Sequence, residues 1–152
     1  MKPLSDDERR QIDFATSTCA CLGLRKASRA VTRRFDEILD PCGLRSTQVV
    51  LLLELARSGP MTMTRLAEAM VMDKSTLTRN LKPLRARGLV DLDASAGRHK
   101  LAVLTEQGVE RLRAAVPLWS RAQQEFLQTL GDADWPAMLT VLDRATRLGA
   151  AA

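Results

Sequence analysis

The chain has 152 residues, of which 45% are hydrophobic and 27% are charged. This length and composition fit one domain, or one domain with helical arms, built around a sizeable core, and they exclude a disordered chain. The formal charge of +5 at pH 7 favours an anionic partner, although charge alone does not separate DNA from RNA or from a membrane surface.

The first predicted element is an amphipathic helix from about residue 13 to residue 39. Its apolar residues recur at steps of three and four: Leu24, Ala27, Val31, Phe35 and Ile38. Asp40-Pro41 ends this helix because the residue before a proline avoids the α conformation. After a turn at Cys42-Gly43, Ser46 is predicted to cap a helix over residues 47–57. That helix contains VVLLLEL, is apolar on nearly every side and is expected in the middle of the core.

A short helix, a turn and a longer basic helix follow. Thr62 is predicted to cap the short helix, residues 63–70, and Asp73 is predicted to cap the basic one after the turn. In the basic helix Leu77, Leu81 and Leu84 fall on one stripe, whereas Ser75, Arg79, Lys82 and Ala86 point the opposite way. Pro83 predicts a bend near residues 79–82 or an early end to the helix, since an interior proline costs about 3 kcal/mol.

Charge is concentrated in this basic helix. Between Lys74 and Arg87 there are five basic residues and no acidic one, which equals the formal excess of the whole chain. Taken alone, such a helix is equally well explained as a solvated amphipathic surface. A second basic cluster, at Arg25, Lys26, Arg29, Arg33 and Arg34, is better explained as a solvated helix face, partly balanced by Asp36 and Glu37, than as a DNA contact.

Two short strands are predicted after the basic helix. Gly88 ends that helix, residues 89–92 alternate as a strand, residues 94–99 form a small polar tip that contains Gly97, and residues 101–104 return. Thr105 is predicted to cap a long helix that reaches about residue 130 and is interrupted or bent at Pro117. A break at Gly131-Asp132 precedes a last helix over about residues 133–148.

The order of these elements is that of a helix-turn-helix followed by a β-hairpin wing, which predicts DNA binding. Residues 46–105 resemble the MarR family of winged-helix transcriptional regulators. The motifs that carry the resemblance are STQVVLLLELAR, MTRLAEAMVMDKSTLTRNLKPLRARGLV and the LAVLT that ends the wing before a long helix. The expected fold is mainly α with a small β-hairpin, a winged helix-turn-helix lobe flanked by N- and C-terminal dimerisation helices.

The resemblance implies a homodimer with two winged lobes on a pseudo-palindromic operator in double-stranded DNA. Residues 1–45 would form the N-terminal dimerisation segment, residues 46–104 the DNA-binding lobe, and residues 105–152 the C-terminal dimerisation helices. Members of the family mostly repress transcription and are released from DNA by ligands or oxidants. The alternative is a basic module that binds nucleic acid without sequence preference, or that docks a protein.

Specific DNA-contact residues follow from the helix faces. Ser75, Thr76 and Arg79 are assigned to the groove, with Arg79 on a guanine edge, and Thr78 and Lys82 are assigned to phosphates. Many relatives carry paired arginines in the wing, whereas the tip here is DASAGRHK with a single arginine. Arg98 is therefore the expected minor-groove residue, and Lys100 the expected phosphate contact. His99, at the same tip, is expected in solvent or on a phosphate.

The three cysteines leave two interpretations open. Cys19, Cys21 and Cys42 are small packed residues in one, and they sense a thiol-directed oxidant or a soft metalloid in the other. Arg25 and Lys26, one turn beyond the C-x-C pair, would favour a thiolate, and three thiolates would suit an arsenic(III)-type centre. The family has a peroxide-sensing branch, but its supporting tyrosines are missing from this chain, which contains no tyrosine. A small aromatic ligand between the dimer helices and the lobe is the other candidate effector.

Other classes of protein are not indicated. The sequence offers no nucleophile with a general base, no paired carboxylates and no phosphate-cradling glycine loop, so an enzyme is not expected and no cofactor is implied. A single histidine rules out a multi-histidine metal site. Without an apolar run of about 18 residues or the apolar core of a signal peptide, the expected location is cytoplasmic, with no membrane partner. Three free thiols fit that reducing compartment.

Overall fold

The computed structural model describes residues 3–93, 100–131 and 133–150. Within those ranges the helices are α1 (Asp6–Thr18), α2 (Ala20–Leu39), α3 (Ser46–Ser58), α4 (Met63–Ala69), α5 (Lys74–Ala86), α6 (Glu106–Leu130) and α7 (Trp135–Ala150). The strands are β1 (Met61–Thr62), β2 (Val90–Asp93) and β3 (Leu101–Leu104). The mainly α class with a winged helix-turn-helix is confirmed. None of the described helices has the length and apolarity that crossing a membrane requires.

The predicted first helix is two helices, and the single-helix prediction is wrong. A capping box starts α1 seven residues earlier than expected, because the Ser5 hydroxyl accepts the Glu8 N–H and the Glu8 carboxylate accepts the Ser5 N–H. Cys19 then interrupts the helical path with an extended backbone, φ −70° and ψ 105°. Its Sγ accepts the Leu22 N–H at 3.4 Å and thereby caps α2.

The start of α3 is stabilised from a distance. Ser46 is not the cap that the sequence indicated: it is the first residue of α3 and is buried. The carboxylate of Asp36, on α2, accepts the Ser46 N–H at 2.7 Å, while the Gln48 side chain accepts the Arg45 N–H at 3.0 Å. Asp36 therefore satisfies a helix N-terminus ten positions away and fixes α3 against α2.

One hydrophobic core joins the parts of the chain. Every leucine of the predicted α5 stripe is fully buried, and the core also takes in α3, the C-terminal end of α2 and one face of α6. The buried hydrophobic residues from α2 and α6 are Phe35, Ile38, Leu39, Leu112, Ala115 and Ala122. The winged lobe therefore shares its core with the two long helices.

The wing belongs to a three-stranded antiparallel sheet with the order β1-β3-β2. Strand β1 was not predicted; its two residues pair with β3 in the register Met61 to Ala102 and Thr62 to Leu101. In the hairpin, Val90 lies opposite Leu104 and Leu92 lies opposite Ala102. Because β1 runs directly into α4, this pairing anchors the start of the helix-turn-helix to the wing.

Neither proline ends its helix, so the early end at Pro83 and the interruption at Pro117 are wrong, whereas a bend at either proline remains a prediction. Helix α5 continues through Pro83 to Ala86, and α6 continues through Pro117 to Leu130. The ring of Pro83 is exposed, and the buried leucines of α5 each contribute about 1.5–3 kcal/mol. Three such residues outweigh the cost of about 3 kcal/mol for one interior proline.

Candidate nucleic-acid interface

A tight turn sets the angle between α4 and α5. The Met72 N–H donates to the Ala67 carbonyl at 2.8 Å and the Val71 N–H donates to the Glu68 carbonyl at 3.1 Å, the hydrogen-bond pattern of a Schellman motif. Val71 occupies the left-handed position with φ 51°, where glycine is usual and a β-branched residue is strained. The turn holds α5 across α4 and leaves the outward face of the N-terminal half of α5 exposed.

The outward face of α5 carries cations that form no ion pair with a carboxylate of the described residues. Ser75, Thr78, Arg79 and Lys82 are exposed and Thr76 is half-buried. Among the described residues, the ion pairs involve other arginines, and the basic side chains exposed on α5 take part in none of them. These basic side chains are Lys74, Arg79, Lys82 and Arg85. The positive charge of the helix is therefore available to an external anion.

Asp73 organises the N-terminal turn of α5 beyond its predicted role as a cap. Its carboxylate accepts the Ser75 hydroxyl at 2.6 Å, the Thr76 hydroxyl at 2.7 Å and the Thr76 N–H at 2.8 Å. Arg79 Nη2 in turn donates to Thr76 Oγ1 at 3.2 Å. A chain of hydrogen bonds thus runs from Arg79 through Thr76 to Asp73 and orients the guanidinium while most of its donors remain exposed.

The same geometry changes what the other hydroxyls offer. The hydrogens of Ser75 and Thr76 point at Asp73, so Ser75 presents acceptor lone pairs outward, whereas Thr76 already accepts from Arg79. Thr78 Oγ1 donates to the Lys74 carbonyl at 2.7 Å. Lys82 extends into solvent without a described partner. The exposure of Ser75, Arg79 and Lys82 agrees with the predicted outward face of α5, whereas the hydrogen bonds of this turn were not predicted.

Asp73 predicts a specific pH dependence of stability. The Ser75 hydroxyl, the Thr76 N–H and the Thr76 hydroxyl hold the pKa of Asp73 well below its usual range. Because the folded pKa lies below the unfolded value of about 3.9, the cap stabilises the fold above that pH and is lost as pH falls toward the folded pKa. We expect Asp73→Ala to lower the thermal midpoint at pH 7 and to differ somewhat less from wild type at pH 3, where the carboxyl is mostly protonated in the unfolded chain but still ionised in the folded one. A midpoint difference that is equal at both pH values would contradict this role.

Of the two wing residues that were expected to contact DNA, Lys100 lies within the described residues, and its phosphate contact remains a prediction. Lys100 is exposed directly before β3. Arg98 and His99 lie outside the described residues, as does the rest of the predicted tip, so the minor-groove assignment of Arg98 remains a prediction. Of the two counter-charges expected for the second basic cluster, Glu37 pairs with Arg34 inside the cluster, whereas Asp36 pairs with Arg45 outside it.

The cysteines divide into two environments. Cys19 and Cys21 are exposed at the junction of α1 and α2. In a continuous helix, side chains two residues apart point in nearly opposite directions, but the extended backbone of Cys19 lifts that constraint on this pair. Cys42 is buried and donates its S–H to the Leu39 carbonyl at 2.9 Å. Since α2 has 20 residues, it separates Cys42 from the pair by about 30 Å. A three-thiolate centre within one chain is therefore excluded, and the described residues contain no other group of three or more candidate metal ligands.

A cleft of about 290 Å³ lies where α2, α3 and α6 meet. Val31, Phe35, Val50 and Trp119 form its apolar walls, and Thr32, Ser46, Thr47 and Gln123 supply polar groups. Phe35 and Trp119 meet edge to face with ring centroids 6.0 Å apart. This volume is at the lower end of small-molecule sites, so the cleft fits a compact ligand of about one ring.

A buried leucine stripe, a capped basic helix and an adjoining hairpin together define a winged-helix DNA-binding protein. Comparison with known proteins agrees: the MarR family model matches residues 43–100. The HTH-type transcriptional repressor NicR of Pseudomonas putida is 32% identical over 121 residues, which are 78% of this chain and 77% of NicR. The chain belongs to the MarR family of transcriptional regulators. The family and the relatives that match this chain are transcriptional regulators and not enzymes.

Two further relatives extend the comparison. The organic hydroperoxide resistance transcriptional regulator of Bacillus subtilis is 30% identical over 100 residues, which are 64% of this chain and 68% of that protein. The crystal structure of the Mycobacterium tuberculosis transcriptional regulator MosR in complex with DNA is similar with a TM-score of 0.80 and 36% identity, covering 88% of this chain and 97% of that one. Like its family, this chain is a transcriptional regulator that binds DNA.

Proposed function

We propose that the protein is a homodimeric, sequence-specific repressor that an effector releases from its operator. The observation that carries this proposal is the geometry of α5. Its leucines fix one face in the core, and Arg79 stands on the opposite face, held by Thr76 and Asp73. An oriented guanidinium suits a bidentate contact with a guanine, and unpaired Lys82 suits a phosphate. Similarity to NicR, a repressor, and to MosR, solved with DNA, supports a DNA-binding repressor.

Uncovered apolar surface supports the dimer. Helix α1 buries none of its residues, and α7 buries none of those whose side chains are described. Phe14 is 70% exposed, Val141 60% and Leu148 81%. Isolated helices of this length are marginal in water, so both need a partner surface. A second copy provides it, and the apolar stripe of α2, which is buried at Phe35 but exposed at Leu24, extends the same face.

This proposal assigns roles to three segments: residues 1–45 and 105–152 dimerise, and residues 46–104 contact DNA. The division is one of function, because the core of the lobe includes side chains from α2 and α6. We propose that an effector acting where those long helices meet the lobe reaches α5 through these packed side chains.

Two structural features are candidate effector inputs. The exposed Cys19 and Cys21 pair at the α1–α2 junction suits a thiol-directed oxidant or a soft metalloid bound by two thiolates. The hydroperoxide regulator of Bacillus subtilis supports the oxidant. The cleft lined by Phe35 and Trp119 suits a small aromatic ligand.

Competition between DNAs tests sequence-specific binding. A duplex is selected from a random library by the wild-type protein, and its affinity is compared with that of bulk genomic DNA at fixed salt. We expect a preference of about 10³ or more. A non-specific binding module would select no duplex and would bind both DNAs equally.

Sedimentation of the free protein at micromolar concentration should give twice the mass of one chain.

Titration of DNA release separates the effector inputs. The selected duplex is bound by wild type, by Cys19→Ser/Cys21→Ser and by Cys42→Ala, and each complex is titrated with organic hydroperoxide, arsenite and salicylate. We expect the double serine variant to lose release by hydroperoxide or arsenite, while Cys42→Ala keeps it. Release by salicylate should instead be weakened by Trp119→Ala. A double serine variant that responds like wild type to every effector would contradict the thiol input.

A further inference from the structure

The turn at Cys42 and Gly43 receives hydrogen bonds from two arginines that are distant in sequence. Arg87 Nη1 donates to the Gly43 carbonyl at 2.7 Å, and Arg111 Nη1 donates to the adjacent Cys42 carbonyl at 3.2 Å. Arg87 is the C-cap of α5, and Arg111 lies in the second turn of α6. The end of α2, the end of the DNA-reading helix and the start of α6 therefore meet at one turn.

The backbone of this turn is shaped to accept both donors. Residues Asp40–Cys42 form a 3₁₀ turn, and Gly43 follows in the left-handed conformation with φ 65°. The Gly43 N–H satisfies the Asp40 carbonyl at 2.8 Å. The arginines occupy the carbonyls of Cys42 and Gly43, which lie at the end of the 3₁₀ turn that follows α2. Positive guanidinium groups are also favourable at this negative end of a helix.

The turn before α5 sets its angle to α4 and the leucines hold α5 in the core, but hydrophobic burial itself has no preferred direction. A charge-assisted hydrogen bond, in contrast, is directional. Arg79 lies eight residues from Arg87, which is about 12 Å along the helix axis, so a tilt of about 10° about that end displaces Arg79 by about 2 Å. Productive contacts tolerate about 0.5 Å. We propose that Arg87 and Arg111 are positioning residues that set the tilt of α5 and hence the reading of DNA sequence.

Three roles of Arg87 give three different results in Arg87→Met, which keeps the aliphatic stem and removes the guanidinium. If Arg87 is a positioning residue, the substitution lowers the affinity for the selected duplex about tenfold. It leaves the affinity for bulk DNA and the dependence of log K on log salt unchanged. A phosphate contact weakens binding to both DNAs and makes the salt slope shallower. A residue that serves only stability lowers the thermal midpoint and leaves both affinities unchanged. Either of the last two results overturns the proposal.

Arg111→Met tests the proposal from another helix. It should show the same selective loss, although Arg111 does not belong to the reading helix. Arg113→Met is the matched control, because Arg113 is exposed on α6 and has no side-chain partner among the described residues. We expect Arg113→Met to behave as wild type. If Arg111→Met retains full affinity for the selected duplex while Arg87→Met loses it, a joint positioning role is wrong.

The inference rests on the proposed sequence-specific binding, and its failure is distinguishable from failure of that proposal. A wild-type protein that selects no duplex contradicts the proposed function itself. A wild-type protein that selects a duplex, together with arginine variants that read it equally well, contradicts the positioning role alone. Circular dichroism and thermal midpoints of all three variants establish that the compared proteins are folded at the assay temperature.

Discussion

Arg79→Ala is expected to weaken binding to the selected duplex by about 1–3 kcal/mol, a factor of roughly 5 to 150, and to relax the base preference at one position of each half-site. The physical reason is that the guanidinium is exposed, unpaired with any described carboxylate and oriented by Thr76. Binding to bulk DNA should fall far less, because one charge among several is lost. Fluorescence titration against duplexes with single base changes measures both effects.

Two controls separate orientation from charge. Arg25→Ala removes an exposed arginine from α2 that has no described partner, and it should leave both affinities near wild type. Thr76→Val keeps the side-chain shape but breaks the link between Arg79 and Asp73, so it should reproduce part of the loss in discrimination. Unchanged affinity and unchanged base preference in Arg79→Ala would remove this residue from the interface.

Gly108→Ala is expected to destabilise the fold by about 1–3 kcal/mol, the usual cost of overpacking. Helix α6 passes so close to the end of α5 that a Cβ on Gly108 would overlap the Leu89 carbonyl oxygen and come within 2.7 Å of Leu104 Cδ1. The approach is fixed by Thr105, whose hydroxyl accepts the Gly108 N–H at 2.9 Å and donates to the Gly88 carbonyl at 2.7 Å. Because the overlapping oxygen belongs to the backbone of Leu89, relief of the overlap requires a shift of that backbone or of α6.

Gly23→Ala is the matched control, since Gly23 is also helical but a Cβ there would meet nothing within 4 Å. It should stabilise the protein by about 0.5–1 kcal/mol through helix propensity. Urea unfolding at one fixed protein concentration compares the two variants, because the stability of a dimer depends on concentration. If both variants stabilise the protein, the close packing of α6 on Leu89 is not as described.

Features set by neighbouring residues were predictable from the sequence. The caps at Thr62, Asp73 and Thr105 and the burial of the α5 leucine stripe are confirmed, because a cap or a helix face depends on residues within one or two turns. The helix-turn-helix and the hairpin followed from them. The assignment of individual DNA contacts to Ser75, Thr76, Thr78, Arg79, Lys82, Arg98 and Lys100 remains a prediction.

Features set by distant residues were not predictable. Asp36 caps α3 across a turn, β1 has only two residues and pairs with β3 far along the chain, and Arg87 reaches Gly43. No local pattern indicates such contacts. The break at Cys19 was also missed, since one extended residue scarcely disturbs the helical periodicity around it. At Pro83 the local rule was sound, but burial of the leucines outweighed it.

Hydroxyl-radical footprinting on the selected duplex tests most directly whether two copies of this chain read DNA as a pair. The account predicts two protected patches of similar sequence, related by a twofold axis and centred about 10–10.5 base pairs apart or a multiple of that distance. Arg79→Ala should weaken both patches together, and an effector that acts through the thiols or the cleft should remove both. A single protected patch, or uniform protection without sequence preference, would contradict the account.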